Sequence, residues 1–215
     1  MEKIIYSKYD KARMKDLPVA AFRGRIIVIM TSGEAEKAVD YLLTHEILGV
    51  DTETRPVFKR GESHKVSLLQ VSTEDTCFLF RINLIGLSPA VIRLLEDTTV
   101  LKVGLSWHDD LLALHRRGNF RPGRFVDLQE HVGEIGVKDM SLQKLYANFF
   151  SKKISKAQQL SNWEADVLSD KQKLYAATDA WACIQLYKEL LRLEKTHDYV
   201  LEDTEEADDV QEHIS

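Results

Sequence analysis

Short apolar runs rich in β-branched residues alternate along the chain with segments whose apolar residues recur at helical spacing. Residues 26–30 predict a strand, and residues 34–45 predict a helix with one buried face and Ser32 as its N-cap. Further apolar runs predict strands at residues 47–53, 66–71, 77–80 and 100–103. A short run at residues 125–127 is compatible with one more strand but is too short to predict it.

The polar segment between two of these strands predicts a hairpin. Residues 66–71 and 77–80 flank a turn at residues 72–75, and this short spacing favours antiparallel pairing. From residue 128 onward the pattern is helical and ends in a long helix over residues 170–194. Strands that alternate with helices, together with one hairpin, predict a single α/β layered domain with a mixed sheet.

Composition agrees with one globular domain in a reducing compartment. The chain has 215 residues, of which 44% are hydrophobic and 29% charged, enough for one full-sized core. Cys77 and Cys183 are far apart and lack metal-ligand spacing. The apolar run at residues 26–30 is too short to span a bilayer, and the chain has no Gly-rich phosphate loop. We therefore expect a cytoplasmic protein without a membrane partner.

The formal net charge of −5 arises at the end of the sequence. Residues 202–215 contain seven acidic side chains and no Lys or Arg, and without them the chain carries about +2. The overall charge therefore does not exclude a nucleic-acid partner. We expect an irregular arm at residues 1–24, a folded domain at residues 25–197, and an acidic, disordered tail at residues 198–215.

Carboxylates stand where two apolar strands end. Asp51 and Glu53 are two residues apart on one predicted strand, so both point to the same face of the sheet. Two adjacent carboxylates repel each other unless cations neutralise them, which favours a metal site. The alternative is a strand that ends in solvent, where acidic residues are common. Asp109 and Asp110 follow the strand at residues 100–103. An acid at this position is either a metal ligand or a residue that the positive end of a helix dipole stabilises.

A third acidic position lies inside the long C-terminal helix. Tyr175 and Asp179 are four residues apart and share one helix face. Ala176, Ala177 and Ala180 would let that face approach a sheet closely. An isolated Tyr–Asp pair in a helix is usually ordinary surface, but its combination with two acidic strand ends is a more specific pattern.

The three acidic motifs, in this order, resemble those of the DEDD family of 3′-5′ exonucleases, in the subclass with tyrosine in the third motif. Ribonuclease D and the exonuclease domain of the Werner syndrome helicase belong to this group. The matching segments are residues 50–54 (VDTET) with 66–71 (VSLLQV), 102–104 (KVG) leading to 110–114 (DLLAL), and 161–163 (SNW) before 168–180 (LSDKQKLYAATDA). The resemblance covers about residues 25–195.

The resemblance implies a three-layer α/β/α fold of the ribonuclease H-like type with a five-stranded mixed sheet. It implies an enzyme that hydrolyses phosphodiester bonds from the 3′ end of DNA or RNA and releases nucleoside 5′-monophosphates. It also implies two divalent ions, Mg²⁺ or Mn²⁺, about 3.5 to 4 Å apart. Their ligands would be the four carboxylates of Asp51, Glu53, Asp110 and Asp179.

The family pattern also favours particular roles for two residues. Asp110 is favoured over Asp109 as the second-motif ligand because Leu114 follows it by four residues, as in the family. Tyr175 would hydrogen-bond and orient the attacking water. With an unperturbed pKa of about 10, it would be a poor general base at neutral pH.

Candidate substrate-binding residues lie in and around the first and third motifs. They are Thr52, Arg55, Lys65, Lys153 and Lys156. Each lysine could equally be an ordinary solvated side chain, but together they could grip the phosphates of a single strand or its 3′ end. The alternative is a nucleic-acid-binding or scaffold module that kept the fold and lost catalysis. The presence of all five motif residues argues against this alternative. The sequence leaves open the choice of DNA or RNA, a protein partner and the oligomeric state.

Overall fold

Eight strands form two sheets in the computed structural model, which describes residues 2–204 of the chain. The strands are β1 (Lys3–Tyr6), β2 (Arg25–Ile29), β3 (Ile47–Glu53), β4 (Leu68–Ser72), β5 (Thr76–Phe80), β6 (Leu101–Gly104), β7 (Phe125–Asp127) and β8 (Tyr199–Glu202). The main sheet has the order β2-β5-β4-β3-β6-β7, and β1 pairs with β8 in a separate two-stranded sheet. The central position of β3 places the first acidic motif in the middle of the molecule.

The main sheet confirms the predicted mixed pairing but has six strands rather than five. Strand β4 runs antiparallel to both β3 and β5, whereas the other pairs in this sheet are parallel. The predicted hairpin is therefore present between β4 and β5. The sixth strand is β7, which aligns Val126 with Val103 at the edge of the sheet. Three residues are too few to give a clear alternating pattern, so the sequence left this strand open.

Helices cover both faces of the main sheet. They are α1 (Ser32–Leu42), α2 (Ile82–Ile85), α3 (Pro89–Glu96), α4 (Trp107–His115), α5 (Leu128–Glu134), α6 (Leu142–Phe150) and α7 (Asp170–Thr196), with one 3-10 helix at Lys11–Met14. Helices α1, α3 and α4 contribute to one apolar core, and α5, α6 and α7 to another. None of the helices within residues 2–204 is both long enough and apolar enough to cross a membrane.

A glycine in β3 allows the long helix α7 to lie directly against the sheet. A Cβ atom on Gly49 would stand 1.9 Å from the main-chain oxygen of Ala180. Ala176, Ala177 and Ala180 are all fully buried at this contact face. The small residues therefore have the effect expected from the sequence, because they bring the backbone of α7 next to the strand that carries Asp51.

The N-cap of α1 lies one residue before the predicted position, and the helix begins at Ser32 rather than at residue 34. Thr31, not Ser32, is the N-cap, and it forms a capping box in which its hydroxyl accepts from the main-chain N–H of Glu34 while the Glu34 side chain accepts from the N–H of Thr31. Both candidates are good capping residues, and the acid three positions later decides between them. The helix ends at Leu42, three residues earlier than predicted.

The two ends of the described chain pair with each other. Residues 3–6, predicted as part of an irregular arm, form β1, and residues 199–202, predicted as part of the tail, form β8. The register aligns Lys3 with Tyr199 in a parallel pair. Each strand finds its partner almost the whole chain away, so neither has a local signal. Residues 205–215 of the predicted tail lie outside the described residues.

Candidate active site

Three carboxylates from two elements meet beside the centre of the sheet. Asp51 and Glu53 lie on the same face of β3, and Asp179 lies on α7, which packs against that face. Ligand oxygens of the three residues all lie within 4.8 Å of one another. Glu53 and Asp179 are buried, and Asp51 is half-buried. Residues 128 positions apart in the sequence thus form one acidic cluster.

Asp110 joins this cluster from the first turn of α4. Its carboxylate accepts a hydrogen bond from the hydroxyl of Thr52, the residue between Asp51 and Glu53. Asp109 is exposed, whereas Asp110 is half-buried and close enough to Asp51 for its pKa to respond to that charge. The structure therefore brings Asp110, rather than Asp109, to the other motif residues.

The loop between β6 and α4 is held by an acid at the end of β7. Asp127 accepts hydrogen bonds from the main-chain N–H groups of Ser106, at 2.9 Å, and His108, at 3.4 Å. These contacts satisfy donors at the start of α4 that have no partner inside the helix. Asp127 thereby fixes the turn of helix from which Asp110 extends.

Burial and mutual repulsion raise the pKa values of the clustered acids. Burial, followed by the charges of Asp51 and Asp179, raises the pKa of Glu53 to about 10. Burial and the charge of Asp51 raise the pKa of Asp110 to about 8. Burial raises the pKa of Asp179 to about 7, although hydrogen bonding from Tyr175 and the charge of Lys156 oppose the shift. A cation among these oxygens would relieve the repulsion.

Tyr175 lies next to Asp179 with its hydroxyl protonated. The side chain is 8% exposed, and burial, together with the charges of Asp179 and Glu53, raises its pKa far above the ordinary value. Trp163, which is fully buried, packs beside it with the ring centroids 6.0 Å apart. At neutral pH the hydroxyl can therefore donate a hydrogen bond but cannot act as a base.

Two unpartnered groups support a cation or its bound water at this site. Asp179 Oδ1 is buried without a hydrogen-bond partner among the described residues. Gln70, fully buried and directly opposite Asp51 in the β3–β4 register, has neither side-chain amide atom paired within residues 2–204. Buried polar groups are rarely left unsatisfied. Carboxylate oxygens are also the ligands that Mg²⁺ and Mn²⁺ prefer, so the donor set fits these ions.

Gln70 and Glu164 were not among the candidate site residues of the sequence analysis. Glu164 accepts from Arg55 at 3.2 Å and lies 3.3 Å from Nδ1 of His64. It thereby joins the loop after β3 to the segment before α7. Gln70 lies within an apolar strand, and only the register of β3 and β4 places it opposite Asp51. Glu164 is one of many acidic residues in the sequence, and nothing in its neighbouring residues distinguishes it.

The predicted substrate-binding residues have different surroundings. Arg55 donates a hydrogen bond to Glu164, and Thr52 donates one to Asp110. The side chain of Lys65 is exposed. Lys153 donates to the main-chain oxygen of Lys15. Lys156 is exposed, yet it is close enough to Asp179 for its charge to lower the pKa of that acid.

Comparison with known proteins decides the family. A family model described as 3'-5' exonuclease matches residues 26–194. The chain belongs to this 3′-5′ exonuclease family. A 3'-5' exonuclease of Arabidopsis thaliana is 30% identical to this exonuclease over 197 residues, which cover 84% of this chain and 68% of that protein. The bifunctional 3'-5' exonuclease/ATP-dependent helicase WRN of Mus musculus is 29% identical over 198 residues, which cover 87% of this chain but only 14% of that protein.

Solved structures confirm the predicted fold class. The EXO domain of Aedes aegypti Nibbler has a TM-score of 0.75 at 19% identity, covering 84% of this chain and 95% of that chain. Trypanosoma brucei RNase D, solved as a complex with RNA U12, has a TM-score of 0.68 at 22% identity, covering 79% of this chain and 63% of that chain. The similarity extends over most of the described residues and shows a shared mixed α/β architecture.

Proposed function

We propose that this exonuclease is metal-dependent and hydrolyses single strands of DNA or RNA from the 3′ end, releasing nucleoside 5′-monophosphates. The observation that carries the proposal is the convergence of Asp51, Glu53 and Asp179, with Asp110 tied to them through Thr52. A cluster of four acids that is buried in part has no structural benefit by itself, since like charges repel in a poorly solvated site. Cation binding gives the arrangement a purpose.

The four carboxylates would hold two divalent cations. Mg²⁺ or Mn²⁺ bound there supplies Lewis-acid chemistry, by activating water and neutralising charge on the phosphate and the leaving 3′ oxygen. Thr52 fixes one oxygen of Asp110, and the capping contacts of Asp127 fix the helix turn beneath it. The protein therefore contributes ligands that are already oriented before a cation arrives.

Tyr175 would act on the attacking water as a hydrogen-bond donor. Its raised pKa keeps the proton on the phenol oxygen across the neutral range. In the cation-free site the hydroxyl donates this proton to Asp179; with a cation on that carboxylate, it would be free to donate to a water molecule or a phosphate oxygen instead. The proton removed from water has to go to another acceptor, because the tyrosine is already protonated.

The test uses one nucleotide sequence, made as RNA and as DNA, labelled at the 5′ end. Each strand is offered with a free 3′ hydroxyl and with a 3′ end blocked by an inverted nucleotide. We expect a ladder that shortens from the 3′ end for the free strands and none for the blocked strands. Internal cuts, or equal cleavage of blocked and free ends, would contradict the proposal. Binding of either strand without cleavage would favour a scaffold module.

A further inference from the structure

A basic cavity of about 690 Å³ lies between the 3-10 helix Lys11–Met14 and the start of α6. Four lysines line this basic cavity: Lys11, Lys15, Lys144 and Lys156. Among residues 2–204, Asp139 is the acidic residue that lines it. The N-terminal segment, which carries none of the acidic motifs, thus contributes two of the four cations.

Within residues 2–204, most of the positive charge in the basic cavity has no acidic partner. Asp139 is buried and already neutralised, since it lies 2.8 Å from Nζ of Lys144 and also accepts from the main-chain N–H of Tyr9. Among residues 2–204, Lys11, Lys15 and Lys156 take part in no ion pair. All three are exposed, so their ammonium groups are available to an anionic ligand.

The N-terminus of α6 adds to the positive electrostatic potential of the basic cavity. Ser141, the N-cap of this nine-residue helix, and Gln143 in its first turn both line the basic cavity. A helix N-terminus carries a partial positive charge and presents free main-chain N–H groups, which suit phosphate oxygens. Lysine ammonium groups and a helix start around one cavity match a chain of phosphates better than a single carboxylate.

The basic cavity neighbours the active site along the segment before α7. Lys156 lines the cavity and also acts electrostatically on Asp179. Ile154 lines both the basic cavity and a second cavity of about 330 Å³, whose wall includes Tyr175. Residues 154–156 therefore lie between the cavity that Tyr175 lines and the cavity that Lys11 and Lys15 line.

We propose that the basic cavity binds the sugar–phosphate backbone of nucleotides on the 5′ side of the scissile bond. The strand would cross Lys156 on its way to the carboxylates, with Lys11 and Lys15 contacting phosphates several nucleotides upstream. This inference rests on the proposed exonuclease function. It assigns substrate binding to a part of the chain that lies before the region matched by the family model, which begins at residue 26.

The test compares Lys11→Glu and Lys15→Glu with a matched control, Lys37→Glu. Lys37 is an exposed residue of α1, a helix that contributes to the core on the other face of the sheet from α6 and α7. Single strands of increasing length, from a dinucleotide to about sixteen nucleotides, are digested by the full chain, and kcat/KM is measured for each length. Thermal unfolding of each variant, and the milder Lys15→Gln, exclude loss of folding as the cause.

We expect the two cavity variants to lower kcat/KM for the longest strands about tenfold, and to make binding less dependent on salt, because each removes a phosphate contact. The dinucleotide should be cleaved at the wild-type rate, and Lys37→Glu should behave as wild type at every length. An equal loss at all lengths, or no loss with long strands, would overturn the inference while leaving the exonuclease intact. A wild-type chain that cleaves no strand would instead overturn the proposed function.

Discussion

The acids of the active site lie where a bound proton or cation is favoured, and the surroundings of Tyr175 favour its protonated form. Burial raises the pKa values of Glu53, Asp110 and Asp179, and the charges of neighbouring acids add to the shift for Glu53 and Asp110. The same negative charges, with burial, raise the pKa of Tyr175 well beyond the neutral range. The tyrosine therefore contributes through a donated hydrogen bond.

Tyr175→Phe tests this role. Removing one hydrogen bond to a charged or developing group costs about 1.5–3 kcal/mol, so we expect kcat to fall about 10- to 100-fold. Cation binding should be unchanged, because the phenol oxygen belongs to none of the clustered ligand groups. The shape of the pH–rate profile should also be unchanged. Loss of its alkaline or acidic limb in the variant would mean that the tyrosine ionises during the reaction.

At the scale of single residues, the acids singled out in the sequence are ones that the structure brings together. Asp51 and Glu53 follow from strand alternation, and Tyr175 and Asp179 from helical spacing, so local geometry was enough to pair them. Bringing the pairs together depended on the family resemblance. Thr52 contacts Asp110, and Gln70 lies opposite Asp51. Both contacts join different elements of the fold, so no local sequence pattern predicts them.

At the scale of elements, the closeness of β3 and α7 sets the geometry of the site. Gly49 leaves no room for a side chain under Ala180, so the helix backbone lies against the strand that carries Asp51 and Glu53. The contact also explains why the carboxylate of Asp179 reaches the two acids of β3. Helix α7 packs across β3, β4, β5 and β6, and a shift at this point would move the whole helix.

Gly49→Ala should therefore disturb both stability and activity. The added methyl group must push α7 away, and overpacking of this kind costs about 1–3 kcal/mol. We expect a lower melting temperature, by roughly 2–4 °C for each 1 kcal/mol, and reduced hydrolysis. Gly33→Ala is the matched control, since a Cβ atom there meets nothing within 4 Å. Equal behaviour of the two variants would show that the close approach is not required.

Elements with strong periodicity were predicted, and those fixed by distant partners were not. The β4–β5 hairpin and the long helix α7 follow from turn spacing and apolar repeats. The strands β1 and β8 pair across almost the whole chain, and each has only four residues. Their sequences carry no alternation that separates a short edge strand from an irregular segment.

At the scale of the whole molecule, the acidic site should make stability depend on pH when no cation is bound. The folded-state pKa values of Asp179 and Asp110, about 7 and about 8, exceed those of the unfolded chain. Between the ordinary carboxyl value of about 4 and these values, the folded protein holds protons that the unfolded chain releases. The free energy of unfolding contributed by these groups therefore falls as pH rises through this interval.

Thermal unfolding in chelator should show this loss. We expect the melting temperature of the wild type to fall from pH 5 to pH 8, and the fall to be smaller in Asp179→Asn, which removes one repelling charge. Addition of Mn²⁺ at pH 8 should raise the melting temperature of the wild type more than that of the variant. Identical pH dependence in the two proteins would mean that the cluster is not strained in the cation-free state.

The most direct test of the proposed metal dependence is the rate of strand hydrolysis as a function of Mn²⁺ in three chelator-treated proteins: the wild type, Asp51→Asn and Asp109→Asn. Asp51 belongs to the cluster, whereas Asp109 is an exposed acid next to Asp110. We predict that the wild type and Asp109→Asn are inactive without Mn²⁺ and regain similar rates with it, while Asp51→Asn stays at least about 100-fold slower. Full activity of the wild type in chelator, or of Asp51→Asn with Mn²⁺, would contradict a catalytic centre built on these carboxylates.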